Sequence, residues 1–326
     1  MDKRKILVTG IGGNVGQGIL RNIKNSGYDI YIVGCNTVLF SAGNHLCDAF
    51  YAVPFAYDPA YINEINAIVE KEKIDLIIPS TDYEVYYLAK EKDKIDTVIA
   101  TSDIDAAEIY LDKFHSALHH ERYSIPFAAT CLPSTYKGQF ENFVAKPRKG
   151  RGSRGLEINP KKWDMFPDEE FIIQELHRGD EITTSFYVDK ERNLHGHITL
   201  IRDLENGTTS KCKVTFDHDR AIEPILKTMI KHSGIKGSAN LQSIITNSGD
   251  IVPFEINCRI SGTNSIRSNF GFEDVKYTLQ EYLFNEVPAV PKIIPGVAVR
   301  LLMDVIYKNK QDYDQCLDNR SGPYIF

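Results

Sequence analysis

Phe254-Glu255-Ile256-Asn257-Cys258-Arg259-Ile260-Ser261-Gly262 is the stretch of this chain that decides its fold. Written as a β-strand, it sends Glu255, Asn257 and Arg259 to one face, because successive side chains alternate. Gln242 sits far enough upstream for a hairpin to bring it alongside from the neighbouring strand. A carboxylate, two amide oxygens and a guanidinium gathered in this way suit magnesium and phosphate. Hard divalent cations take oxygen ligands and share them with substrate phosphates, and arginine offers a two-pronged donor to an anion. Three such residues alone would also describe an ordinary polar strand face, so the rest of the chain has to decide.

With 326 residues the chain exceeds one simple core and suits two or three packed lobes. Apolar residues make up 42% and charged residues 25%, the balance of a globular protein and not of a disordered one. A net charge of -6 argues against a nucleic-acid partner. No apolar run approaches the roughly 20 residues of a membrane span, so no membrane partner is expected. The N-terminus runs straight into a strand-like segment without a leader's apolar core, and the cysteines at 35, 47, 131, 212, 258 and 316 show no paired or zinc spacing. A cytoplasmic location with reduced thiols follows as the expectation.

Short Ile/Val-rich runs at 5–10, 29–34, 74–79 and 96–100 alternate with amphipathic stretches at 16–25 and 61–71. That alternation predicts a parallel sheet covered on both faces, with ligands at the carboxyl ends of its strands. The second half changes to strands in succession at 142–146, 155–158, 170–175, 181–188 and 194–200. A helix near 220–233, a hairpin at 237–256, a helix near 273–285 and a strand at 297–305 follow. The fold class is therefore α/β followed by α+β.

Three further segments carry chemistry. Thr9-Gly10-Ile11-Gly12-Gly13-Asn14-Val15-Gly16 joins the first strand to the first helix, where glycines let a ligand approach a helix N-terminus. The same spacing occurs in short-chain dehydrogenases and epimerases that bind NAD, but Gly34-Cys35-Asn36 stands where that reading needs an acid. The loop also lacks the Gly-Lys-Ser/Thr ending of a P-loop. Next, Lys146-Pro147 ends a strand and leads into a basic, glycine-rich loop with Arg148, Gly152 and Ser153, which can fold backbone N–H groups over phosphates. Finally, Gln174-Glu175-Leu176 breaks before Glu181. A break there can offer backbone groups to a base edge and a carboxylate to ribose hydroxyls, although a plain hairpin explains it as well.

Taken in order, Asp112-Lys113 opening a helix, Lys146 with its glycine loop, Gln174-Glu175-Leu176 with Glu181, and Gln242 with Glu255, Asn257 and Arg259 resemble the ATP-grasp superfamily. The likeness is nearest to the large subunit of carbamoyl-phosphate synthase and its single-module relatives. It implies a Rossmann-like pre-ATP-grasp domain over 1–110, a small lobe with its linker helix over 111–190, and a large lobe carrying the metal site over 191–326. It implies ATP and Mg2+ as cofactors, with Mn2+ as a substitute. Lys113, Lys146, Arg148, Gly152 and Ser153 would meet the phosphates, Gln174, Glu175 and Leu176 the adenine, and Glu181 the ribose. Gln242, Glu255 and Asn257 would hold the metal, and Arg259 would act on the transferring phosphoryl group. Cys258 departs from the proline usual between Asn and Arg.

The function so implied is an ATP-dependent carboxylate–amine ligase that forms an acyl phosphate and passes it to an amine, with small-molecule acid and amine substrates and a homodimer as the assembly. Gly12, Gly13, Asn14, Asp82 and Glu84 would line the substrate pocket. Arg267 and Arg300 join the catalytic set, the first as a clamp on a substrate carboxylate and the second as a buried charge awaiting an anion. Arg202 and Lys211 flank the turn at Gly207 and would reach phosphates or simply belong to a hairpin. His119 and His120 are expected on a helix surface. A phosphotransferase on the same scaffold, an NAD-dependent epimerase or dehydrogenase, and a nucleotide binder without turnover are the rival readings.

Overall fold

A computed structural model describes residues 3–150, 154–317 and 322–326. In the N-terminal domain, β1 (Arg4–Val8), β2 (Ile30–Asn36), β3 (Ala49–Ala52), β4 (Leu76–Ile78) and β5 (Val98–Ile99) pair in parallel in the order β3-β2-β1-β4-β5. The helices α1 (Asn14–Lys24), α2 (Tyr61–Glu72) and α3 (Asp82–Lys90) connect them. The central strands are buried on both faces, which is why they read as continuous apolar runs. The edge strand β3, Ala-Phe-Tyr-Ala, carries no such run and was not legible as a strand.

Two helices, α4 (Ile104–Leu111) and α5 (Lys113–Arg122), lead into the small lobe. Asp112 caps α5, its carboxylate accepting from the Phe114 N–H at 2.9 Å. The small lobe is the antiparallel sheet β6-β9-β7-β8, built from β6 (Thr130–Cys131), β7 (Phe143–Pro147), β8 (Glu157–Ile158) and β9 (Phe171–Glu175).

The large lobe is a six-stranded sheet with the order β14-β13-β10-β11-β12-β15. It comprises β10 (Gly179–Val188), β11 (Leu194–Glu205), β12 (Thr208–Thr215), β13 (Gly237–Thr246), β14 (Ile251–Asn257) and β15 (Val297–Val299), with α6 (Asp219–His232), α7 (Asn264–Arg267) and α8 (Asp274–Thr278) around it. A last pair, β16 (Val305–Ile306) and β17 (Tyr324–Ile325), lies apart.

Sheet membership corrects two expectations. β9 and β10 belong to different sheets, so 176–178 crosses between lobes and is not a hairpin turn, and the lobe boundary falls there and not at 190. The last strand stops at Val299, short of the expected 305. A third correction concerns His120, which is fully buried, its ring packed against Phe127 and its Nδ1 3.3 Å from the Pro126 carbonyl. The periodicity of so short a helix did not reveal that 126–127 folds back over it. None of the described helices is long and apolar enough to cross a membrane.

The N-terminal domain and the large lobe share one core. Ile6, Ile19 and Leu76 pack in the same cluster as Ile260, Val275 and Leu279. Asn264 wedges between them, taking the Val15 carbonyl at 3.2 Å, while Asn22 donates back to Asn264 at 3.1 Å. A side chain at Gly18 would meet the Asn264 side chain at 2.3 Å, so glycine is what lets α1 and α7 approach.

Candidate active site

The β13–β14 register places Gln242 opposite Glu255 and Asn240 opposite Asn257. The side chains form a short chain: Gln242 Nε2 donates to Asn257 Oδ1 at 3.2 Å, and Asn257 Nδ2 donates to Glu255 Oε1 at 3.3 Å. All are oxygen donors with a single carboxylate among them. That set suits a hard cation that brings phosphate oxygens with it, and it would be too weakly charged to hold one alone. No cluster of three His, Cys, Asp or Glu suited to a metal occurs among the described residues, in keeping with a site built from amides.

Basic groups converge on Glu255 from the other two parts. Lys113 Nζ stands 3.9 Å from Glu255 Oε2 and donates to the Gly150 carbonyl at 3.2 Å. Lys146, at the end of β7, is buried beside the Phe254 ring and lies 3.4 Å from the Phe254 carbonyl. Burial pushes its ammonium down to about 7, and Lys113 adds to the fall while Glu255 opposes it. Burial alone would raise the Glu255 carboxyl. Lys113, Lys146, a hydrogen bond from Asn257 and Arg259 outweigh it and hold the group below its ordinary value.

Two cavities meet at this point. A cleft of about 200 Å³ between the lobes is lined by Lys113, Lys146, Gln174, Glu175, Leu176 and Glu181, with apolar walls from residues such as Leu156 and Ile244. A larger cavity of about 590 Å³ lies between the N-terminal domain and the large lobe, and takes in Gly13, Asn14, Asp82, Glu84 and Arg259. Gln242, Glu255 and Arg154 border both.

Most of the sequence-derived set is thus brought together, and several members are placed elsewhere. Gly152 and Ser153 lie outside the described residues. Arg148 borders neither cavity. Its guanidinium grips Asp112 at 2.9 Å and donates to the Asp168 carbonyl, clipping the small lobe to α5. Arg267 is no substrate clamp, being fully buried. Its Nε and Nη2 hold Asp274, and its Nη1 donates to the Ser261 and Thr263 hydroxyls at 2.8 Å. Arg300 finds its partners in the Thr209 and Gly262 carbonyls, both at 2.9 Å, and not in an anion. Gly12 packs against Asn36 and does not border the large cavity. Glu84 does border it, but its carboxylate closes the α3 cap on the Thr81 N–H at 2.9 Å. Burial raises the Glu84 pKa despite those hydrogen bonds.

Arg259 is held across the cavity by Asp82, Nη2 to Oδ2 at 2.8 Å. Its Nε is buried with no partner, a donor that an anionic ligand would satisfy. Arg202 belongs to the site as well. On β11, its Nε reaches Glu181 at 3.0 Å and its Nη2 reaches Gln242 Oε1 at 2.8 Å, so the hairpin reading undervalued it. Lys211, exposed on β12, does not take part. The sequence also gave no sign of an aromatic wall on the large cavity. Phe55 and Tyr57 stack with ring centroids 5.3 Å apart, Tyr83 meets Tyr57 edge-on, and Phe55 and Tyr57 are about half exposed.

Comparison with known proteins gives the same outline. Residues 112–263 match the family described as ATP-grasp domain, and residues 6–101 match PylC-like, N-terminal domain. No curated protein sequence matches the chain. Among solved structures, N5-carboxyaminoimidazole synthetase from Staphylococcus aureus complexed with ADP is similar with a TM-score of 0.74 at 13% identity, over 92% of this chain and 83% of that one. The biotin carboxylase domain dimer of Hydrogenobacter thermophilus 2-oxoglutarate carboxylase, with MgADP and bicarbonate, gives 0.71 at 15% identity over 94% and 76%. The L-amino acid ligase from Bacillus licheniformis gives 0.69 at 12% identity over 87% and 75%. At these identities the likeness is one of fold.

Proposed function

The chain carries an ATP-grasp domain behind a PylC-like N-terminal domain, and on that premise we propose that it is an ATP- and magnesium-dependent carboxylate–amine ligase. The reading rests on one observation: the cleft that holds Lys113, Lys146 and Glu181 and the larger cavity meet at Gln242 and Glu255. A nucleotide laid along the cleft delivers its terminal phosphate to whatever occupies the cavity. Gln174, Glu175 and Leu176 then border the base, Glu181 the ribose, and Lys113 and Lys146 the phosphates.

Gln242, Glu255 and Asn257 would hold magnesium, which when bound neutralises phosphate charge. A carboxylate oxygen of the acid attacks the γ-phosphorus in line, and the bond to ADP breaks. The acyl phosphate is then attacked at its carbonyl carbon by the amine, whose proton is lost as phosphate departs. The protein's contribution is positioning and charge: Lys146 and Arg259 on opposite sides of the transferring group, and walls that keep water from the acyl phosphate. The Phe55–Tyr57–Tyr83 wall favours an acid or amine that carries a planar or apolar group.

The test is isotopic. With a panel of acids labelled with 18O in the carboxylate, the true substrate should pass one label into inorganic phosphate, and only when an amine is present should ADP release proceed to an amide. A phosphorylated product that accumulates without amine makes the protein a phosphotransferase. Thermal stabilisation by NAD or NADP but not by ATP with Mg2+ returns the dehydrogenase reading.

A further inference from the structure

The row of amides beside Glu255 has a direction, and its two ends fix it. At one end stands the Arg202 guanidinium, which can only donate, with Nη2 2.8 Å from Gln242 Oε1. At the other end stands the Glu255 carboxylate, which only accepts and has Lys113 Nζ 3.9 Å away. Between them Gln242 Nε2 donates to Asn257 Oδ1 at 3.2 Å, and Asn257 Nδ2 donates to Glu255 Oε1 at 3.3 Å. Turning either amide over would set N–H against N–H or oxygen against oxygen. Arg202, Gln242, Asn257 and Glu255 therefore form one donor-to-acceptor run across the sheet from β11 through β13 to β14. It passes over β10, where Glu181 takes the Arg202 Nε at 3.0 Å.

That direction opposes a cation. Each amide oxygen suited to magnesium already accepts a hydrogen bond from its neighbour, and Gln242 Oε1 accepts its bond from a full positive charge. A cation bonded to that oxygen at about 2.1 Å would stand within roughly 5 Å of the guanidinium nitrogen, close enough for repulsion to offset much of the pull of Glu255. Only an anion that draws Arg202 aside lifts this repulsion. Arg202, Gln242 and Glu255 all border the large cavity, and the last two also border the cleft. A planar guanidinium fork matches a phosphate at that junction better than it matches an amide oxygen.

We infer that Arg202 is a positioning residue that makes metal binding conditional on phosphate: while it donates to Gln242 the amide run turns its oxygens away from a common centre, and a phosphate that takes the guanidinium frees Gln242 and Asn257 to turn their oxygens toward a cation at Glu255. This rests on the ATP and magnesium reading given above and adds an order to it. The divalent cation and the nucleotide then bind as a unit, each raising the affinity for the other by the same factor. A bare cation finds the site set against it. Arg202 acts through Gln242, and its pair with Glu181 places the guanidinium where both parts of the ligand pass.

Titration of the full chain with Mn2+, followed by water-proton relaxation with and without ADP, tests the inference. The wild-type protein should bind Mn2+ at least about tenfold more tightly with ADP than alone. Arg202→Met should raise the affinity for Mn2+ alone by at least about tenfold and shrink the advantage that ADP confers. Arg202→Lys, which keeps the charge for Glu181 but lacks the second prong, should give a smaller rise in the same direction. Adding Gln242→Leu to Arg202→Met should abolish the rise, because it acts through the Gln242 oxygen. An arginine with a purely structural role would lose metal affinity on replacement and never gain it. Three results overturn the proposal and leave the ligase reading standing: wild-type protein that binds Mn2+ equally well without ADP, a folded Arg202→Met protein with no gain, and a gain that survives Gln242→Leu. Absence of Mn2+ binding even with ADP would sink that reading and the proposal together.

Discussion

Arg267→Met separates two roles that the sequence could not tell apart. Arg267 and Asp274 have no exposed surface, and the Asp274 carboxylate also takes the Ser238 hydroxyl. Methionine fills much of the space but leaves that carboxylate buried without its cation, and it frees the Ser261 and Thr263 hydroxyls. Breaking a buried pair by removing one partner costs about 3–5 kcal/mol. In a protein of this size that corresponds to a melting temperature lower by roughly 4–7 °C. Arg267→Met with Asp274→Leu should recover most of the loss, because an apolar pair removes the stranded charge. Calorimetric melting of the two single variants and the double variant measures the coupling directly. Turnover per folded molecule should change by less than about threefold in kcat. The KM for the acid should rise modestly, since Ser261 and Thr263 border the large cavity. An Arg267→Met protein that melts like the wild type yet loses turnover a hundredfold would refute the structural role and put the guanidinium on the substrate.

Three further outcomes are expected. Glu255→Ala should reduce magnesium-dependent ADP release by at least about a hundredfold, and normal release in a coupled assay would remove Glu255 from the metal site. Lys146→Met should weaken ATP binding by roughly ten- to a hundredfold, the worth of a charge-assisted hydrogen bond. Because its ammonium titrates at about 7 in the free protein, wild-type ATP affinity should fall as pH rises above 7 while the variant's does not, a difference that calorimetric titration would show. His120 is buried, and burial chiefly lowers its pKa from 6.5 to about 4. The unfolded chain therefore takes up a proton that the native state refuses, and stability should fall from about pH 6.5 down to about 4, by an amount on the order of 3 kcal/mol. Urea denaturation of His120→Leu should show a flatter pH dependence over that range, and an unaltered slope would mean that other groups carry it.

What the sequence made legible was local or periodic. The cross-strand meeting of Gln242 with Glu255 follows from hairpin register, and the parallel sheet follows from its buried apolar runs. Charged residues were read poorly, because an arginine's role depends on its partner and not on its own neighbours in sequence. Arg148, Arg267 and Arg300 all looked available for anions, and the fold supplies each with a carboxylate or carbonyl instead. Arg202 erred in the other direction: its significance lies in facing Glu181 and Gln242 from the adjacent parts of the sheet, which no spacing within 202–211 discloses. The lobe boundary was misplaced because β9 and β10 are separated by only a short link, the usual mark of a hairpin, although they enter different sheets.

The distribution of contacts decides which part of the molecule can close over a nucleotide. The N-terminal domain and the large lobe are joined through a common apolar core and the Asn264 wedge, and they carry Asp82, Glu255 and Arg259 as one frame. The small lobe touches that frame mainly through polar contacts, among them Arg148 on Asp112 and the two side chains at the Phe254 carbonyl. Its chain returns to the large lobe at Gly179, whose φ is +149° and where a Cβ would come within 1.8 Å of the Ile245 carbonyl, so that only glycine fits the crossing. Lys146 rides on the small lobe and Glu255 on the frame. Rotation about 112 and 176–179 therefore changes the spacing between Lys146 and Glu255, while Asp82, Glu255 and Arg259 keep theirs. Under the proposed function, closure of the small lobe over the nucleotide would gate the chemistry, with 112 and 176–179 as its hinge.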